Sequence, residues 1–309
     1  MPSSNSLPTH HLDPFHKERH RTSTNAIFGY NNLAVQYQIP GFELYSSEGM
    51  IPDYGPAKST FYRVGIVLKG SIHMKLGLEH FDVGPLSLTF SIPGQVHSKS
   101  NASPDIFGYY ILFSSTFLEG ILPPLNLSTE FPFYDYSCSQ LLQCNEQEIN
   151  EIVSFIEKID AELKSDSSGK VTAIKMYLYL LLLTAKRSYE RQLPHNNLKP
   201  ATHIVTQFHK LVSQHFLQYR QVSDYARMLH VTPNHLNRVV KNTTNRTASD
   251  AIQEMLVQEA KVLLQNTALS ISEISYQLDF SEPAAFNHFF RKLTGGTPLS
   301  YRSMFATVV

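Results

Sequence analysis

The sequence predicts an α+β chain of two domains: an N-terminal β-barrel with two trailing helices, then a C-terminal all-α domain. Three observations carry this reading. Between about residues 25 and 135, short apolar runs are cut by Gly and Pro at close intervals. From residue 146 the apolar spacing becomes that of helices. Within the last third, a helix-turn-helix pattern occurs twice, ~49 residues apart.

Residues 1–24 are polar and His-rich, and read as a mobile tail. His10, His11, His16 and His20 lie there without the Cys or i,i+4 spacing that organises a metal site. Residues 25–190 form the first domain. Apolar runs at 62–68, 72–78, 86–92 and 108–113 are separated by Lys69-Gly70, Val83-Gly84-Pro85 and Pro93-Gly94, the punctuation of short strands in a barrel or sandwich. Ile149, Ile152, Val153, Ile156, Ile159 and Leu163 then mark one helix. The break at 165–169 leads to a second helix over 171–190. Tyr177, Leu178, Leu180, Leu181 and Leu182 cover more than one of its faces, which leaves open burial within one subunit or partly against a partner. Residues 191–200, with Pro194, Asn196, Asn197 and Pro200, read as a linker, and 201–304 read as helical throughout.

Lys plus Arg balance Asp plus Glu at 26 each, but unevenly along the chain. Residues 199–302 hold 11 basic and 7 acidic side chains, which suits a nucleic-acid module joined to a more acidic domain. Cys138 and Cys144 form neither a zinc framework nor a disulfide scaffold and fit a reducing compartment. The N-terminus lacks the apolar core of a signal peptide, and the longest apolar stretch, 177–183, is too short to cross a bilayer. The expectation is a cytoplasmic protein without membrane contact. No Ser/His/Asp, phosphate-loop or dinucleotide pattern stands out, so no enzyme and no cofactor is expected.

The C-terminal pattern carries the functional reading. In residues 222–241, Ser223 and Thr232 are placed to cap two helices, and Pro233 suits the first turn of the second. That second helix has an apolar side, Leu236, Val239 and Val240. Opposite stand Asn234, Asn237, Arg238 and Lys241. Arg pairs with guanine and Asn with adenine on major-groove edges. The repeat matches Val222 with Ile271, Ala226 with Ser275 and Leu229 with Leu278. Beyond the turn the offset grows by one and matches Leu236 with Phe286, Asn237 with Asn287 and Lys241 with Arg291. An amphipathic helix over 248–265, roughly 25 Å long, separates the two units. It suits two recognition helices set about one DNA turn, ~34 Å, apart.

Residues 203–304 resemble the DNA-binding domain of the AraC/XylS family. The stretch FSEPAAFNHFFRKLTGGTPLSYR (280–302) carries the resemblance most strongly, and EAKVLLQNTALSISEIS (259–275) adds to it. The resemblance implies seven helices, two recognition helices per subunit, promoter binding and recruitment of RNA polymerase. Carried onto this sequence, it makes Asn234, Asn237, Arg238, Ala284, Asn287 and His288 the base-reading candidates. Thr232, Lys241, Ser281, Arg291 and Lys292 are better placed for phosphate, which fixes register. The chain departs from the family at His230 and Asp279, where Gly is common, and at Leu256 and His288, where Arg is common. Residues 62–98 resemble the cupin-like sensor barrel of the same family. A metal cupin needs a His-x-His pair, and here Ser71 precedes His73 by two; Glu79, His80 and His97 are only parts of a ligand set. The expectation is no metal and an apolar pocket for a small organic effector, with Tyr62, Arg63, His73, His97 and Tyr109 as candidate polar contacts. The resemblance also implies that the helices at 146–190 support a homodimer. The resulting reading is a sequence-specific, effector-responsive transcription regulator; the alternative is a cupin enzyme with an appended DNA-binding module.

Overall fold

The computed structural model describes residues 12, 20–120, 127–136, 138–192 and 200–304. His10, His11, His16 and most of the 191–200 linker lie outside the described residues. The described chain divides into two compact units, one of residues 12, 20–54 and 59–192, the other of 55–58 and 200–304.

Among the described residues nine strands run in chain order: β1 (Phe42–Ser46), β2 (Tyr54–Ala57), β3 (Phe61–Lys69), β4 (Ile72–Leu76), β5 (Glu79–Val83), β6 (Ser87–Ser91), β7 (His97–Ser100), β8 (Phe107–Ser114) and β9 (Leu141–Gln143). They form a five-stranded sheet, β1-β8-β3-β6-β9, and a four-stranded sheet, β2-β7-β4-β5. The arrangement is sandwich-like, and the expected barrel is not closed. The β5 edge shows why: Glu79, His80 and Asp82 are exposed on it, and charged side chains keep such an edge from pairing further.

Alternation along each strand gives this unit two cores. On β3, Val64 and Ile66 face one way and join Leu88, Phe90, Ile111 and Phe113 in the larger core. Val67, Ile72, Met74, Leu76 and Val83 form the smaller one. The larger core is roofed by helices. A short α1 (Leu127–Glu130) precedes α2 (Glu146–Leu163) and α3 (Lys170–Gln192). Asn145 and Glu148 close a reciprocal capping box at the start of α2. The buried side of α2, Ile149, Ile152, Ile156 and Ile159, packs with Leu178, Leu181 and Leu182 of α3. Met176 and Leu180 on α3 remain exposed.

The end of the polar N-terminal stretch differs from expectation. His20 and Arg21 are buried, and Arg21 donates to the Ser46 carbonyl at 2.9 Å, to Asn31 Oδ1 at 3.0 Å, and to the Tyr110 hydroxyl and Glu48 carbonyl. Composition marks these residues as polar, but a guanidinium whose two terminal nitrogens both donate to oxygen can sit inside.

The second unit holds seven helices among the described residues: α4 (Pro200–His215), α5 (Val222–Met228), α6 (Pro233–Thr244), α7 (Ala248–Asn266), α8 (Ile271–Gln277), α9 (Pro283–Thr294) and α10 (Pro298–Ser303). The central α7 is buried along most of its length, including Leu256, Ala260 and Leu263. A Leu at 256 fits that setting, because burying a long cation there needs a partner. Phe208, Tyr225, Leu236, Val240, Ile274, Phe286 and Phe290 complete the core.

Candidate nucleic-acid interface and effector cavity

Helices α5–α6 and α8–α9 repeat one geometry. In the first turn His230 has φ +55°, and in the second Asp279 has φ +57°. Only a few residue types accept this left-handed backbone, Asn, Asp and His foremost after Gly. The flanking bonds match as well: the Val231 N–H donates to the Ala226 carbonyl at 2.9 Å, and the Phe280 N–H to the Ser275 carbonyl at 3.0 Å. Ala226 and Ser275 are both buried where the paired helices meet. The correspondence extends past the second helix of each unit. Thr244 accepts from the Arg246 N–H and donates to the Val240 carbonyl; Thr294 accepts from the Gly296 N–H and donates to the Phe290 carbonyl. Thr247 and Thr297 then cap α7 and α10. Asp250, bonded to Thr247, is held below its usual carboxylate range by those hydrogen bonds. The sequence reading passed over this 50-residue match of Thr244 with Thr294 and Thr247 with Thr297, although the spacing carries it.

On α6, Leu236 and Val240 are fully buried, while Asn234, Arg238 and Lys241 are exposed. The Arg238 guanidinium lies 3.2 Å from His235 Nδ1. Thr232 caps the helix by accepting from the His235 N–H at 3.2 Å. On α9, Ala284, Asn287, His288, Arg291 and Lys292 are exposed, as is Ser281 just before it, with Phe286 and Phe290 buried behind.

Two amides on these faces are engaged by the scaffold. Asn237 is half-buried, and its Oδ1 accepts from the Ala248 N–H at 3.1 Å, one of the donors left unsatisfied at the start of α7. That bond removes the acceptor half of the bidentate pair an adenine would require. At the equivalent place in the second unit stands Pro298, which has no N–H. Asn287 instead donates to the Pro283 carbonyl of its own helix at 3.0 Å and stays exposed. The second helix start is also weaker: Glu282 occupies the N-cap and makes no side-chain capping bond.

Arg220, which sequence reasoning missed, ties the two units together. Its guanidinium donates to the Leu278 carbonyl in the second turn and lies 4.8 Å from the Phe280 ring centroid. A cation over an aromatic face adds attraction beyond packing.

A cavity lies between the sheets of the first unit. Its walls include the apolar Ile66, Val67, Ile72 and Met74, and polar residues among them are Tyr54, Arg63, Thr89, Lys99, Tyr109 and Tyr110. Of the five residues predicted to provide polar contacts, Arg63 and Tyr109 line it. Arg63 and Gly65 lie two apart on β3, and Gly65 pairs with Tyr110 and Thr89, all of which line the cavity; Ile66 and its partner Tyr109, of the opposite parity, line it as well. Tyr62, one step along, turns to the larger core, where it stacks on Phe113 at 5.5 Å and meets Tyr134 edge-on. His73 turns toward the β5 edge, with Nδ1 2.8 Å from Asp82 and Nε2 3.4 Å from His80. His97 is buried beside the Tyr54 ring, outside the cavity wall. Among the described residues, no group of three His, Cys, Asp or Glu is arranged to hold a metal ion.

Burial sets the charges of the cavity. It lowers the Lys99 pKa well below the usual ammonium value, with further lowering from the Arg63 and Arg21 charges. It lowers that of Arg63 too, against smaller raising effects from Tyr110, Tyr54 and Glu43. The Tyr110 phenol is pushed up to about 12 by burial, partly offset by Arg21.

The two helix-turn-helix units, each with an exposed polar face on its second helix, define a DNA-binding domain. A family model described as a helix-turn-helix domain matches residues 225–304. The HTH-type transcriptional activator RhaR of Mannheimia succiniciproducens is 23% identical over 165 residues, covering 53% of this chain and 58% of RhaR. The Msm operon regulatory protein of Streptococcus mutans is 24% identical over 281 residues, covering 88% of this chain and 96% of that protein. Among solved structures, ToxT of Vibrio cholerae aligns with a TM-score of 0.41 at 14% identity, over 86% of this chain and 99% of ToxT. The C-terminal unit thus contains a helix-turn-helix domain, and both of these relatives are named as transcription regulators.

Proposed function

We propose that the protein is a sequence-specific transcription regulator. It binds promoter DNA through α6 and α9 and responds to a small organic effector held between the sheets of its N-terminal unit. The observation that carries this reading is the doubled turn geometry at His230 and Asp279, with an exposed polar helix face behind each turn. In this reading Asn234 and Arg238 contact bases from α6, while Ala284, Asn287 and His288 face the second groove. Thr232, Lys241, Ser281, Arg291 and Lys292 contact phosphate. Asn237 serves the scaffold more than the DNA, because its acceptor is already engaged. Glu282 repels phosphate at the start of α9, so the second unit contributes more anchoring than base choice.

The protein acts in the cytoplasm as a homodimer through α2 and α3, and engages RNA polymerase at the promoter. Exposed Met176 and Leu180, four residues apart on α3, support a subunit contact there. It catalyses no reaction: relatives named for transcription regulation support this more than the cupin-enzyme alternative. Selection of sites from a random DNA pool by the full chain tests the reading. Enrichment of a two-part site with its halves about one turn apart is expected. Recovery of unenriched sequences would refute it.

A further inference from the structure

We propose that the effector is a small organic carboxylate, its anionic group held by Arg63 and Lys99 and its apolar body by Ile72, Met74 and Tyr109. This rests on the effector reading above and narrows it to one chemical class.

The contrast among three cations carries the argument. Arg21 Nη1 and Nη2 donate to four oxygen acceptors, although its Nε has no partner. Arg63, on the cavity wall, has a shielded Nε with no hydrogen-bond partner, and its guanidinium lies 5.8 Å from the Tyr110 ring centroid. The Lys99 ammonium lies 5.7 Å from the Tyr54 ring centroid. Among the described residues no carboxylate forms an ion pair with either. Glu43 acts on Arg63 only at longer range and does not figure among the charges felt by Lys99. Two basic side chains therefore share one cavity and have lost water without gaining a counter-charge, the setting that lowers the pKa of both. Such groups stay inside a protein when something of opposite charge completes them.

The rest of the wall restricts what that can be. Ile66, Val67, Ile72, Met74, Ile106 and Phe107 offer apolar contact and few hydrogen-bonding groups. A carboxylate on a hydrocarbon or aryl body matches both the basic and the apolar part of the site. Its two oxygens suit the donor fork of a guanidinium and an adjacent ammonium. Gly65 keeps the floor open between Arg63 and Val67: a Cβ there would stand 2.6 Å from Thr89 Oγ1.

Calorimetric titration of the full-length protein with 3-phenylpropanoate and octanoate, each against its neutral amide, tests the proposal. At least one acid should bind about tenfold or more tighter than its amide, as expected for replacing a charge-assisted contact by a neutral one. Lys99→Met and Arg63→Met should each reduce that preference to about twofold or less, mainly through weaker binding of the acid. Thermal melts identify a variant that has unfolded, and Lys99→Met decides if Arg63→Met does so. Equal binding of acid and amide, no binding of either acid, or a preference that survives Lys99→Met overturns the carboxylate assignment. DNA-site selection on the same preparation separates the two readings. Intact site selection beside failed acid binding sinks the carboxylate alone, and failed site selection sinks the regulator reading beneath it.

Discussion

At the residue scale, position on a helix face does not settle what a polar side chain does. Asn237 and Arg238 are neighbours on α6, yet the first bonds the start of the next helix and the second is exposed. Arg238→Ala should weaken specific DNA binding by about 1–3 kcal/mol without changing the melting temperature. Asn237→Ala should do the reverse. It leaves the Ala248 N–H unpaired, costs about 1 kcal/mol of stability in thermal unfolding, and preserves the ranking of DNA sites. The polar face of α6 was legible in the sequence because its period is local. The partner of Asn237 was not, since it depends on where the next helix begins. Only alignment of Ala248 with Pro298 shows why the two units differ here.

At the element scale, turns and caps decide how well each unit presents its reading helix. His230 and Asp279 stand where Gly is common, and both adopt the left-handed turn, which His and Asp accept better than most residues. The cap of α9 is the weaker of the two. Glu282→Ser should add about 0.5–1 kcal/mol of stability through a new side-chain cap, and should also tighten DNA binding by removing a negative charge near phosphate. Melting curves and gel-shift titrations of the same variant check both effects. Arg220→Ala should loosen the joint between the units. Affinity for a two-part site should fall, while affinity for the α6 half-site alone stays within about threefold, a difference near the scale of one modest contact. In the first unit, strand positions were legible from Gly and Pro punctuation, but side-chain direction was not. Tyr62 and Arg63 are adjacent and equally polar in sequence, and only the pairing of β3 with β6 and β8 sends one to the core and the other to the cavity.

At the scale of the whole molecule, two units of different chemistry share one chain. The boundary between the β pattern and the helical pattern was legible, because the period of burial changes there. Closure of the sheets was not legible, since it depends on the edges, and the exposed charges of β5 keep that edge open. The dimer reading belongs to this scale too. Leu180→Glu should convert the protein from dimer to monomer in sedimentation at micromolar concentration, and a wild-type protein that is monomeric without DNA would count against α3 as the contact.

The central claim is that two helix-turn-helix units enter successive major grooves with unequal roles. It is tested most directly by measuring the affinity of the full-length protein for its selected site and for every single-base change in it. The account predicts two sensitive clusters about one helical turn apart. Wrong bases should cost about 1–3 kcal/mol each in the α6 half and well under about 1 kcal/mol in the α9 half. Equal penalties in both halves, or a single sensitive cluster, would contradict it.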